Sequence, residues 1–263
     1  METTKKTRWN KVWIIGASTG IGRDLAVAIA PQCDQVWSSA RSADKLAEVC
    51  SLAENIRSMP LDITDEHRLS AAAAEIGAGS AIDLVVISSA VGLMSRLPKF
   101  DTAAYRQSIE VNYLGTVYAI AAVLPAMVQA GRGHIAMIAS VAGYRGLPGG
   151  APYAPTKAAL INLAECIHPQ LKQLGVTVSV INPGFVETPM TQQNKFPMPF
   201  LMKSDQAAKR IIAGLDSGRF EIAFPRRMSW LLKSLRLLPY RPFFWLAAKL
   251  APGGPSKSTS RKT

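Results

Sequence analysis

Val12-Trp13-Ile14-Ile15-Gly16-Ala17-Ser18-Thr19-Gly20-Ile21-Gly22 is the stretch that decides the fold. Four consecutive apolar residues stop at a glycine, as a strand buried on both faces must read. Gly16 then permits a tight turn, Gly20 a close backbone approach, and Gly22 the packing of the next helix on the sheet. That helix starts at Gly20 and points free amides and a positive dipole end at the turn, where a pyrophosphate fits. Ser18, Thr19 and Ile21 belong to the same turn. A strand–helix turn that binds nothing is the plainer alternative, but the strand before it and the helix after it favour a dinucleotide.

Working outward, strand-like runs recur at Gln35–Ser39, Ile56–Met59, Leu84–Ser88, His134–Ala139, Val176–Ile181 and Phe220–Ala223. Helical patterns lie between them, at Gly20–Ala30, Ala43–Ala53, Glu66–Ile76, Thr102–Gln129, Pro152–Leu174 and Asp205–Asp216. This alternation predicts an α/β fold: a single Rossmann-type, doubly wound parallel sheet with helices on both faces. We divide the 263 residues into a catalytic domain at 1–225, an amphipathic helical extension at 226–250 and a basic, disordered tail at 251–263.

Charge separates the same regions. The net charge is +12, yet Val12 to Pro225 holds 17 basic and 17 acidic residues, while 226–263 holds nine basic and none acidic. A neutral body argues against a nucleic-acid-binding domain, and the basic end points to an anionic surface. Cys33, Cys50 and Cys166 show no metal or redox spacing and suit a reducing compartment, with Cys166 read as packing. His67, His134 and His168 lack partners at metal spacing, so no metal is expected. Met1–Asn10 carries no apolar signal segment, and a cytoplasmic location is expected.

The end of the second strand is where a dinucleotide fold meets the adenine ribose. No acid stands between Val36 and Arg41, so Arg41 and Ser42 favour a 2′-phosphate, and NADP(H) over NAD(H). A solvent-exposed loop arginine is the alternative.

Tyr153 and Lys157 are four apart on one helix face. A nearby ammonium would lower the tyrosine pKa from about 10 and make it a general acid for carbonyl reduction, or a base for the reverse. Ser140 follows the fifth strand, at the carboxyl edge where such sheets bind ligands, and its hydroxyl can donate to a carbonyl. Tyr-x3-Lys alone is a common surface pair. With a strand-end serine upstream and a cofactor turn, it is specific.

Together these residues resemble the short-chain dehydrogenase/reductase family over about Val12 to Pro225. The resemblance implies that Asn112 completes an Asn-Ser-Tyr-Lys tetrad, holding a water on the proton path to the lysine. It also implies that Asp62 and Ile63 contact adenine. Pro183, Gly184, Val186 and Thr188 would pack on the nicotinamide, Val186 and Thr188 touching the carboxamide. After the fourth strand the family usually carries Asn-Asn-Ala-Gly, and here stands Ser88-Ser89-Ala90-Val91. Ser89 and Ala90 would keep their place beside the cofactor, with serine replacing part of the hydrogen bonding. The family also implies a homodimer or homotetramer with Thr102–Gln129 and Pro152–Leu174 at an interface.

Residues Pro189 to Lys203 are rich in Met and Phe, which suits either closure over a lipophilic substrate or simple burial on the core. Met228–Leu250 combines Trp, Phe and Leu with Lys233, Arg236, Arg241 and Lys249 and is broken by Pro239 and Pro242. Leu231, Leu235 and Leu238 are expected to line one face. The segment is too interrupted to span a bilayer; it suits a peripheral membrane contact on a cytoplasmic face, or two helices covering the subunit's own core. The sequence thus predicts an NADPH-dependent reductase of a lipophilic ketone or aldehyde. The alternatives are a 3-oxoacyl-thioester reductase and a weakly catalytic NADP-binding sensor.

Overall fold

The computed structural model describes residues 8–94, 98, 100–194 and 196–250. The expected tail at 251–263 lies outside the described residues. Seven strands, β1 (Trp9–Ile15), β2 (Cys33–Ser39), β3 (Ile56–Ser58), β4 (Leu84–Ile87), β5 (Gly133–Ile138), β6 (Val176–Pro183) and β7 (Glu221–Phe224), form one sheet. Their order is β3-β2-β1-β4-β5-β6-β7 and every pairing is parallel. The chain leaves β1 in one direction and resumes at β4 in the other, so the switch point lies between their carboxyl ends.

Both faces of the sheet are covered because each strand is apolar on both sides. Along β1, Val12 and Ile14 join one core while Trp13 and Ile15 join the other, as the two-residue period of a strand requires. The first core is closed by α1 (Gly20–Ile29), α2 (Ala43–Cys50) and α8 (Ser204–Asp216); the second by α3 (Glu66–Ile76), α5 (Gly115–Gln129) and α6 (Tyr153–Gln173).

The expected single helix over Thr102–Gln129 is divided. An α-helix α4 (Thr102–Ile109) passes through a π-helical turn at Glu110–Leu114 into α5. The run is long and apolar enough to cross a membrane by length and composition, yet here Ala119, Ile120, Val123 and Met127 bury against the sheet. The wide turn shifts the register and carries Asn112 at its centre, a local distortion that periodicity cannot reveal.

Beyond β7, helices α9 (Arg226–Arg236) and α10 (Tyr240–Leu250) follow. The stripe of α9 that meets the core is Met228, Ser229, Leu232 and Leu235. Of the face expected from Leu231, Leu235 and Leu238, Leu235 packs there and Leu231 is exposed. Lys233, one turn past Ser229, pairs with Glu221. In α10 Phe243 and Ala247 are buried, and Arg145 lies over the Phe243 ring at 4.2 Å. Cys166, expected to pack, is exposed on α6.

Candidate active site

A cavity of about 460 Å³ opens at the carboxyl ends of β1, β4, β5 and β6. Its floor is the glycine turn. Gly16 has φ +94°, and a Cβ there would sit 2.5 Å from the Ser89 backbone nitrogen, so only glycine lets the β1 turn lie against the β4 loop. Gly22 is different: it is buried, lies outside the cavity wall, and a Cβ would meet the Gly16 carbonyl oxygen at 2.2 Å. Its role is packing α1 onto its own turn.

No side chain caps the start of α1. Ser42, Asp65 and Asp101 each accept backbone hydrogen bonds at the N-termini of α2, α3 and α4. Thr19, at the N-terminus of α1, makes no such side-chain bond, and no acid stands in the first turn. The amides and positive dipole end of α1 are therefore directed at the cavity, which Ser18, Thr19, Gly20 and Ile21 line. That arrangement fits a phosphate-bearing group.

One end of the cavity is basic. Arg41 and Ser42 line it, with Asp62 and Ile63 across from them, as expected. Lys45 lines it too, a residue that the sequence reading missed. Its position in the first turn of α2, four past Arg41, was the available signal, because the N-cap Ser42 folds that turn back toward Arg41. Asp62 is occupied locally: its Oδ1 accepts from the Thr64 amide at 3.0 Å and the Thr64 hydroxyl at 2.9 Å.

At the other end Ser140, Tyr153 and Lys157 meet on the same wall. Ser140 ends β5 in extended backbone, and its Oγ accepts from the Ala142 amide at 3.1 Å. Lys157 is 1% exposed and its Nζ donates to the Ile138 carbonyl at 2.7 Å, with Tyr153's ring centre 5.6 Å away. The ammonium thus has donors to spare, facing the cavity. Burial lowers the Lys157 pKa to about 7 and pushes Tyr153 up to about 12, with a hydrogen bond from Ser140 pulling Tyr153 back.

Asn112 does not line the cavity. It is fully buried, its Oδ1 accepts from the Val91 amide at 2.7 Å, and its Nδ2 donates to the Val91 carbonyl at 3.0 Å and the Thr156 hydroxyl at 3.1 Å. Both amide hydrogens are used. The side chain ties the loop after β4 to the first turn of α6, and so sets where Ser89 and Ala90 lie relative to Tyr153. Ser88 and Val91, the unusual residues of that loop, both line the cavity with them.

Pro183, Gly184, Val186 and Thr188 close the remaining side. Thr188 Oγ1 caps the short helix α7 (Pro189–Gln192), and Thr191 Oγ1 returns a bond to the Val186 carbonyl at 2.6 Å. This rigid corner places Met190 on the cavity wall. The Met- and Phe-rich stretch beyond it divides its side chains: Met202 is buried against Val186, whereas Phe196, Phe200 and Leu201 are exposed.

Comparison with known proteins agrees with this geometry. Residues 10–197 match the model of the short chain dehydrogenase family. An uncharacterized oxidoreductase of Myxococcus xanthus is 34% identical over 244 residues, 90% of this chain and 95% of its own length. A 3-ketodihydrosphingosine reductase of Dictyostelium discoideum is 27% identical, over 85% of this chain and 77% of its own. Among solved structures, a short chain dehydrogenase of Burkholderia cenocepacia in complex with NADP superposes with a TM-score of 0.79 at 24% identity, covering 92% of this chain and 98% of that one. The chain therefore belongs to the short chain dehydrogenase family, and is an NAD(P)-dependent oxidoreductase.

Proposed function

We propose that the protein is an NADPH-dependent reductase of a lipophilic ketone or aldehyde. The observation that carries this is the convergence of Ser140, Tyr153 and the buried Lys157 on one wall of a cavity whose floor is the uncapped start of α1. Residues of the glycine turn and the α1 amides would hold the pyrophosphate, and Arg41 with Lys45 would hold a 2′-phosphate. Bound there, NADPH supplies the hydride. Ser140 donates a hydrogen bond to the substrate carbonyl and stabilises the charge that develops on it. Tyr153 gives the proton; burial keeps it protonated at neutral pH, so the reductive direction is loaded, while alcohol oxidation needs the phenolate and quickens as pH rises. Lys157 holds the ribose and, when charged, favours the phenolate. Asn112 acts as a positioning residue through Val91 and Thr156.

Met190 on the wall and the exposed Phe196, Phe200 and Leu201 that follow it in sequence support an apolar substrate, as does the ketone substrate of the Dictyostelium relative. Assembly as a homodimer or homotetramer through α4–α5 and α6, and a peripheral contact of α9–α10 and the basic tail with a membrane, complete this reading. The division at 225/226 falls where α9 starts.

The test is NADPH oxidation over ketones, aldehydes and 3-oxoacyl thioesters of increasing chain length, with Tyr153→Phe alongside. Turnover rising with chain length and falling about a thousandfold in the variant, with NADPH affinity retained, is expected. Thioesters far outperforming ketones of equal length would select the thioester reductase instead. Tyrosine-independent behaviour with NADPH still bound would select a sensor.

A further inference from the structure

A second cavity, of about 590 Å³, lies between α8, β7 and α9, away from the catalytic wall. Four basic side chains line it: Arg210, Arg219, Arg226 and Lys233. The acid there is Glu221, and it is already engaged from within the fold. Its Oε1 accepts from the Tyr144 hydroxyl at 2.7 Å and from Asn182 Nδ2 at 3.0 Å, and its Oε2 pairs with Lys233. Burial alone would raise Glu221, but these partners, Lys233 foremost, hold it below the usual carboxylate range. Among the described residues, Arg210, Arg219 and Arg226 enter no ion pair. The groove keeps three uncompensated guanidinium groups, whose planar forks suit phosphate oxygens.

Trp230 lines the same groove and is 73% exposed. Leu231, Leu237, Tyr240, Phe244 and Trp245, elsewhere on α9, α10 and the turn between them, are exposed as well. A second copy of this chain is a poor occupant for such a face. Residues 226–263 carry nine basic and no acidic side chains, so two copies meeting there would set like charge against like. An anionic bilayer satisfies both features at once, since aromatic side chains settle at the headgroup level and arginines pair with phosphates.

We propose that the groove of Arg210, Arg219 and Arg226 is a binding site for the phosphate of an anionic lipid headgroup, with Trp230 and the exposed face of α10 entering the interface beside it. This rests on the reading of α9–α10 as a membrane contact and adds a headgroup site to it. Met228, one residue from the groove, packs on Gly184, which lines the catalytic cavity.

The experiment is sedimentation of the full-length protein with vesicles of phosphatidylcholine alone or mixed with phosphatidylglycerol. Three proteins are compared: wild type, Arg210→Gln/Arg219→Gln/Arg226→Gln, and Trp230→Ser/Trp245→Ser. Partition of wild type into mixed vesicles should fall at least about tenfold in the triple arginine variant, with its melting temperature kept. The tryptophan variant should weaken on both vesicles. Wild-type-like binding by the arginine variant, with loss in the tryptophan variant, overturns the headgroup site and leaves the membrane contact standing. No vesicle binding by wild type overturns both. Glycerol 3-phosphate quenching Trp230 fluorescence as tightly as mixed vesicles do would assign the groove to a soluble phosphate. A tryptophan-dependent dimer in sedimentation velocity would assign the face to a second copy. Either result overturns the proposal.

Discussion

The catalytic wall and the C-terminal helices invert the ordinary distribution of polarity in opposite senses. On the wall an amine is 1% exposed, and behind it an asparagine is wholly buried. On α9–α10, Leu237 is 85% exposed and Trp230 73%. A buried charge lowers stability unless it is paired, and an exposed apolar cluster gains nothing from folding. Each region therefore carries side chains that the isolated fold does not need. What differs is how far the surroundings compensate. Asn112 has every amide hydrogen satisfied by Val91 and Thr156, whereas among the described residues the Lys157 ammonium has only the Ile138 carbonyl, and Trp230 and Trp245 are mostly exposed. Compensated residues hold the architecture; uncompensated ones face something the fold itself does not supply.

Lys157 offers the largest test of that distinction. Its folded-state pKa lies below its unfolded value, so between about 7 and 10.5 the unfolded chain binds the extra proton and stability rises with pH. Urea unfolding across this range should show wild type gaining on the order of 4 kcal/mol relative to Lys157→Met, with the opposite slope from the raised Cys33 and Tyr153 common to both proteins, while the variant loses turnover. A wild-type profile that runs parallel to the variant's would show that Lys157 is fully compensated after all.

Across the turn between α9 and α10 the same contrast can be drawn. Phe243, 4% exposed, should cost about 3 kcal/mol when replaced by alanine, whereas Leu237→Ser should change the unfolding free energy by less than about 0.5 kcal/mol. Equal losses at both would mean that the exposed face is covered in solution, which concentration-dependent melting would reveal.

Asn112→Ala strands the Val91 amide and carbonyl and frees the loop after β4. A loss of about 2 kcal/mol is expected, with the NADPH dissociation constant and kcat both affected, and Asn112→Asp restoring neither because it lacks the two donors. Smallest is the effect at the basic end of the cleft: Arg41→Ala should lower the preference for NADPH over NADH about tenfold, and Lys45→Ala should add to it, both read from direct cofactor titration. Equal affinities of NADH for the Arg41 variant and wild type, matching that of NADPH, would remove the assignment of the 2′-phosphate.

The sequence by itself determined the parallel sheet, because strands buried on both faces must be continuously apolar and glycines must stand where backbones touch. Val12–Ile15 and the run from Gly16 to Gly22 carry that information locally, and so does the four-residue spacing of Tyr153 and Lys157. Ser140 could be placed at a strand end for the same reason. Only the tertiary structure decided that Gly22 and Asn112 stand behind the cavity wall, that Lys45 joins Arg41, and that Thr102–Gln129 widens into a π turn. It also decided which face of α9 is buried, with Met228 and Leu232 on the core and Leu231 in solvent. These features depend on partners far apart in the chain: Asn112 on Val91 and Thr156, Glu221 on Tyr144 and Lys233. Periodicity reports what one segment prefers, while a hydrogen bond across the fold is settled only when both segments are in place.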